Sequence, residues 1–230
     1  MRVAAIQSSY IPWKGYFDII HDVDTFIFYD DLQFTKRDWR SRNSIKTQAG
    51  PQWLTIPVGG SRDRLICDVG IEDTTWQENH WTRLKHSYGR APFFSYYAPL
   101  LEEVYLAQRW SNLSVLNQQL TMRIARECLD IQTRFVDSRQ FEAEGRKLDR
   151  LVDLVTKAGA SHYISGPSAR SYIETAPFDA AGITVEFKDY GNYPEYEQLH
   201  PPFTHQVCVL DLLFHVGPKA PWYIWGWRGS

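Results

Sequence analysis

The chain has 230 residues and a mass of 26.8 kDa, enough to bury roughly 70% of its extended surface, so it needs no disulfide or metal staple to fold. Its 25 lysines and arginines against 27 aspartates and glutamates leave a net charge of -2, which excludes a binder of nucleic acid or anionic membrane that works through bulk charge. Cys67, Cys128 and Cys208 are widely spaced and form no C-x-x-C pair, which excludes a secreted disulfide framework and a cysteine zinc site and points to a reducing cytoplasm.

The apolar start, Val3-Ala4-Ala5-Ile6, gives way at once to Gln7 and Ser8, too early for a signal peptide, and no later run reaches the length of a membrane span. Val3–Ile6 instead predicts a buried strand that ends in a polar, turn-rich loop. Tyr16, Phe17, Ile19, Ile20 and Val23 then recur at helical spacing, and Thr25–Tyr29 predicts a second buried strand, stopped by Asp30 and Asp31. Strand, helix and strand in this compass predict a parallel βαβ unit. The right-handed crossover brings the loops after both strands to one sheet edge, where open α/β sheets bind ligands.

Further along, Trp53–Val58 and Leu65–Ile71 predict extended pieces, the first limited by Pro57. Helices follow from Trp76 to Gly89, from Leu100 to Leu106, and from Leu113 to Leu129 behind the cap Ser111 or Asn112. Ile131–Val136 predicts a strand and Leu148–Lys157 an amphipathic helix closed by Gly159. A strand at 161–164, a Gly-Pro loop at 165–167, a short helix at 169–173, a strand at 183–187 and an apolar helix at 207–216 complete the chain. The expected architecture is a single α/β domain, a mainly parallel, Rossmann-like sheet flanked by helices, with a helical insertion at about 76–129.

The densest polar cluster runs from Asp30 through Asp31, Gln33, Lys36, Arg37, Trp39, Arg40 and Arg42 to Asn43 and Lys46. Composition alone makes such a charge run a solvated, salt-bridged loop. Its place directly after a buried strand supports an anionic-ligand site, with cations to clamp phosphate or carboxylate, Trp39 as a flat surface, and acids to hold a metal or a proton. Gln7, Ser8, Tyr10, Trp13 and Lys14 precede the first helix, whose amino-terminal amides suit an anion. Neither G-x-G-x-x-G nor a Walker A loop is present. Ser165–Ser168 and Asp189–Pro194, with Tyr190, follow the other two strands and face the same edge if those strands are parallel.

His80 is in line with Trp76, Leu84 and Tyr88, which marks it as a structural histidine and a reserve base. His162, His200, His205 and His215 have no metal spacing, and no metal site is expected. Cys128 and Cys208 read as small hydrophobes. No G-x-S-x-G elbow surrounds Ser165. Asp211, between Leu210 and Leu212, needs a buried partner, for which the tyrosine-rich loop is the candidate.

Together, Gln7-x-x-Tyr10-x-Pro12-Trp13-x-Gly15-Tyr16-Phe17, Asp30-Asp31-x-Gln33-Phe34, Arg42-Asn43-x-Ile45-Lys46, Trp53-Leu54-Thr55-Ile56-Pro57-Val58, Tyr163-Ile164-Ser165-Gly166, Tyr196-x-Gln198-Leu199 and Asp211-Leu212-Leu213-Phe214 closely resemble the WbqC-like protein family over nearly the whole chain. Ser8, Ser41 and Cys208 depart from the family's usual residues. The resemblance implies bacterial surface-polysaccharide or glycoconjugate biosynthesis, by an enzyme that tailors amino-sugar intermediates. In chemical terms, the expectation is transfer of an acyl or aminoacyl group to the amine of a nucleotide-linked sugar, from a carrier-bound or CoA thioester, with a carrier protein as possible partner. Asp30 or Asp31 is then the candidate base, Lys36, Arg40 and Arg42 hold phosphate or phosphopantetheine, and Tyr10, Trp13 and Trp39 stack on the ligand. Nucleotidyl transfer is the alternative chemistry, and a non-catalytic ligand-binding scaffold is the alternative class.

Overall fold

The computed structural model describes residues 1–73 and 75–229. Its first elements are β1 (Arg2–Ile6), α1 (Lys14–His21) and β2 (Thr25–Phe28), with β1 and β2 parallel and Val3 opposite Thr25. Beyond β2 lies β5 (Arg134–Asp137), and on the other side of β1 lie β6 (His162–Ser165) and β7 (Thr184–Phe187). Every pair in this five-stranded sheet is parallel. The chain therefore winds outward from β1 to β5, returns to the centre, and winds outward again through β6 and β7, as in Rossmann-like folds.

Strand alternation explains how both faces are buried. Val3, Ala5, Ile27 and Tyr29 join one apolar cluster with Leu154 and Val155 of α5 (Lys147–Lys157) and Phe178 of α6 (Ala176–Ala180). Ala4, Phe26 and Phe28 point the other way, into a larger cluster built with α1 and the remaining helices. Those helices are α2 (Thr75–Tyr88), α3 (Phe94–Glu102), α4 (Leu113–Arg123), α7 (Val209–Val216) and α8 (Ala220–Ile224). Asn112 caps α4 by accepting the Val115 N–H at 3.0 Å. Gly159, at a φ of 76°, makes the left-handed turn that ends α5.

Three segments differ from the sequence pattern. Residues 42–47, part of the polar cluster, form β3 (Arg42–Thr47), paired antiparallel with β4 (Gly50–Thr55). Local propensity is overridden there because the backbone finds distant partners: Lys46 N–H donates to the Tyr88 hydroxyl at 2.7 Å and Ser44 C=O accepts from Cys208 N–H at 2.8 Å. Ladder pairing stops near Pro57, which has no N–H to extend it. Residues 65–71 are not a strand but a 3₁₀ turn, Ile66–Asp68, because Ile66 and Cys67 spend their N–H groups on Leu32 and Asp30 carbonyls at 2.9 Å. Finally, α3 begins at Phe94, earlier than the leucine spacing implies, since Phe94, Tyr97 and Leu101 supply its buried stripe.

Charge pins the carboxyl tail to α1. Asp18, fully buried, accepts hydrogen bonds from Arg228 at 3.0 and 2.7 Å and from Tyr193 Oη at 2.5 Å, and pairs with Lys188 at 2.9 Å. Burial alone would raise this carboxyl, but the bonds from Arg228, Tyr193 and Lys188 outweigh it and hold its pKa below the ordinary value. Asp18→Asn removes the carboxylate partner of Arg228 and leaves Lys188 only Asp22, and is expected to cost about 3–5 kcal/mol in urea unfolding. Because the folded pKa is depressed, this stabilisation is intact above the ordinary carboxylate pKa of 3.8 and disappears as pH falls through the folded value. Below pH of about 4 the wild type should therefore lose stability more steeply than the variant; parallel acid profiles would contradict the assignment.

Candidate functional site

The loops after β1 and β6 part in opposite directions, and the resulting crevice at the carboxyl ends of the strands is the place where such sheets bind ligands. A cleft of about 1880 Å³ opens there. Gln7, Ser9 and Trp13 line it from the loop after β1, Ser165 and its neighbours from the loop after β6, and Tyr190 from the loop after β7. The β3–β4 hairpin adds Asn43 and Trp53, the segment before it Trp39 and Arg40, and the chain before α7 adds His205. Arg146 and Lys147 at the start of α5 and the exposed Tyr172 complete the opposite wall.

The loops are held by buried polar groups. Asp30, wholly enclosed, accepts the Ser8 N–H at 2.7 Å and Gln118 Nε2 at 3.0 Å, together with the Ser114 hydroxyl. Its acceptor positions are thus spent on the β1 loop and α4. Asn43 donates from Nδ2 to the carbonyls of Tyr10 and Ile11 at 3.0 and 2.8 Å. This clamp holds Ile11 at a φ of 41°, a left-handed conformation that costs a β-branched residue on the order of 1–3 kcal/mol.

Of the residues singled out by sequence, Gln7, Trp13, Trp39, Arg40, Asn43, Ser165 and Tyr190 meet in the cleft. Trp13 packs edge-on to Tyr190 with ring centroids 4.9 Å apart. Its indole lies over Gly15, where a Cβ would stand 2.3 Å from a ring carbon, so any side chain there displaces the ring. Trp39 and Trp53 are half exposed at the rim with centroids 5.5 Å apart. Arg40 reaches Gln7 Oε1 and lies 3.5 Å from Asp38, yet its Nε is buried without an acceptor.

The other candidates occupy different surroundings. Tyr10 is fully buried, its hydroxyl 2.8 Å from His80 Nδ1 and 2.5 Å from Tyr105 Oη. Burial, then the charge of Arg83, pushes His80 down to about 4, so it is neutral within an aromatic cluster. Asp31 is tied to Ser138 and Arg150. Lys46 is buried against Gln198 and the Pro202 carbonyl, and Arg42 stacks 4.2 Å over the Trp53 ring. Gln33 and Lys36 are exposed outside the cleft lining. Asp211 accepts from Tyr88 at 2.9 Å and from Tyr196 and Gln198 at 2.8 Å.

Sequence reasoning weighed His205 only as a metal ligand and Lys14 only as a residue before a helix. His205 lines the cleft, and its Nδ1 is buried without a hydrogen-bond partner. Lys14 is 4% exposed, with Nζ 4.6 Å from the Tyr193 ring centre and likewise unpartnered. No spacing motif links residues so far apart. Burial pushes the thiols of Cys67 up to about 11 and of Cys128 and Cys208 up to about 12, far from an activated nucleophile. Among the described residues, no group of three or more His, Cys, Asp or Glu side chains is placed to hold a metal ion, and no helix is long and apolar enough to cross a membrane.

Asp30→Asn replaces an all-acceptor group with one that turns an N–H₂ toward existing donors. The expected loss is about 1–3 kcal/mol of stability, with faster hydrogen exchange at the Ser8 amide. Unchanged melting and a protected Ser8 amide would refute this role.

A protein-family model described as the WbqC-like protein family matches residues 7–223. The chain is also 46% identical over 225 residues, covering 97% of each sequence, to the uncharacterized protein Rv1507c of Mycobacterium tuberculosis (strain ATCC 25618 / H37Rv). No solved structure matches significantly. A Rossmann-like sheet, a cleft lined by the Gln7–Trp13 loop and the hairpin that carries Arg42-Asn43, and a match along almost the entire length lead to one conclusion: the chain belongs to the WbqC-like protein family.

Proposed function

We propose that this protein is a tailoring enzyme of bacterial polysaccharide or glycoconjugate biosynthesis. It binds a nucleotide-linked amino sugar in the cleft and transfers an acyl or aminoacyl group to the sugar's amine, from a carrier-bound or CoA thioester. The observation that carries this reading is the combination, at the switch point, of exposed indoles with an arginine that has an unused, buried N–H. A diphosphate accepts from a guanidinium in charge-assisted hydrogen bonds, and Arg40, a residue of the cleft lining, keeps an Nε–H without an acceptor in the protein. The rim pair Trp39 and Trp53 offers flat apolar surface to a base or a sugar ring.

Size supports two reactants. One small ligand fills roughly 300–1,000 Å³, and the cleft of about 1880 Å³ has room for an acceptor and for the arm of a thioester donor. Transfer to an amine also needs hydrogen-bond donors for the tetrahedral oxyanion and a group that receives the amine's proton. Ser165 lines the cleft, and it and the backbone amides near it are our candidates for the first task. Both reactants are made in the cytoplasm, where we place the enzyme.

Binding is measured by calorimetry with a uridine- or thymidine-diphosphate amino sugar, and turnover by the mass gained by the sugar when acetyl-CoA or an acyl carrier is added. Arg40→Gln should weaken binding about tenfold or more, the loss of roughly 1.5–3 kcal/mol for a hydrogen bond to a charged group. No saturable binding by the wild type, or equal affinity in the variant, would count against the proposal.

A further inference from the structure

Amide formation on a sugar amine needs a proton acceptor within reach of the ligand. Asp30, Asp31 and His80 are each committed to internal partners. His205 is different: it lines the cleft, and its ring packs edge-on against Phe203 at 4.5 Å and lies 6.4 Å from Tyr193. Its Nδ1 is buried without a partner; in the tautomer that carries the proton there, Nε2 is the nitrogen that can accept one.

The Tyr193 ring is shared by His205 and by a second group with no hydrogen bond. Lys14 is held between Tyr193 and Tyr196, with Nζ 4.6 and 5.7 Å from their ring centres, and its ammonium finds no acceptor. A buried ammonium facing only rings is expensive unless it serves a neighbour. The neighbour on which its charge acts, beyond Asp18 and Asp211, is His205.

We propose that His205 is the catalytic residue that takes the proton from the acceptor amine through Nε2, and that Lys14, which shares the Tyr193 ring with it, is its positioning residue. The inference rests on the transfer reading. As the amine nitrogen forms its bond to the thioester carbonyl carbon, its proton passes to Nε2. When the tetrahedral intermediate collapses, the carbon–sulfur bond breaks, and the imidazolium returns that proton to the departing thiolate. The products are the amide and the free thiol, with no other reactant consumed.

Two physical effects keep the imidazole unprotonated at neutral pH. Burial lowers its pKa first and the Lys14 charge lowers it further, to about 4. Above that pH the ring is neutral. Burial brings Lys14 itself down to about 8, against the opposing pull of Asp211 and Asp18, so the ammonium form still predominates at neutral pH.

Two measurements on the full chain test this. The first is an NMR titration of the imidazole nitrogens with ¹⁵N-labelled histidine. Lys14→Met removes the charge and keeps the length of the side chain, and is expected to raise the His205 pKa by at least about half a unit, a readout that packing alone does not move. An unchanged titration would overturn the role of Lys14. The second measures turnover of a diphosphate-linked amino sugar with acetyl-CoA or an acyl-phosphopantetheine carrier. His205→Gln should lower kcat about 100-fold or more, with the Kd for the nucleotide sugar within about threefold of wild type, and Lys14→Met should shift the acid limb of the kcat/KM profile upward with the His205 pKa. Wild-type turnover in His205→Gln would overturn the catalytic assignment and leave the transfer reading standing. A wild type that binds the sugar but transfers nothing from either donor would sink the transfer reading and the role of His205 with it, while the NMR titration still decides the electrostatic pairing.

Discussion

The Asp30 carboxylate, withdrawn completely from water, holds the functional end of the molecule together. It accepts from the backbone of the loop after β1 and from Ser114 and Gln118 on α4, elements far apart in sequence. A buried carboxyl is tolerable only when its polar atoms are paired, so the loop and the helix must both be home for either to be stable there. Gln118 passes the constraint on to Asp137 at the end of β5, at 3.1 Å. The loop that carries Gln7, Ser9 and Trp13 into the cleft is thus held by one acceptor and its donors.

The Trp13 side of the cleft depends on α1, a helix of only eight residues that buries both a lysine and an aspartate. Asp18 recruits Lys188, Tyr193 and Arg228, which draws the carboxyl third of the chain back across the sheet edge. Trp225 stacks on His21 at 3.9 Å as part of the same closure. Only after this folding back does Tyr193 lie beneath Lys14 and beside His205. The carboxyl third of the chain therefore supplies Tyr190 and His205 to the cleft wall as well as closing the core.

The centre of the sheet was legible because β1 and β2 are short, nearly unbroken apolar runs, and the loop after β1 was legible as a candidate site because polar and aromatic residues follow such a run directly. Position in the fold is harder to read. Asp30 and Asp31 look alike in sequence, yet one meets Ser8, Ser114 and Gln118 and the other Ser138 and Arg150. Asn43 and Lys46 belong to a hairpin whose polar groups are satisfied by Tyr10, Ile11, Gln198 and Pro202, partners that no local pattern announces. His205 and Lys14 come together only through Tyr193 and the return of the tail, so a reading based on spacing passes over both.

These features serve one physical claim: a charged guest lies between the diverging loops after β1 and β6, its phosphates near Arg40 and its reacting end toward His205. A crystal structure of the protein with a diphosphate-linked amino sugar tests this most directly. The account predicts ligand density between Gln7 and Ser165, with a phosphate oxygen within hydrogen-bonding reach of Arg40. Density elsewhere, such as the shallow pocket beside Trp222 and Tyr223, with the switch-point crevice left to solvent, would contradict it.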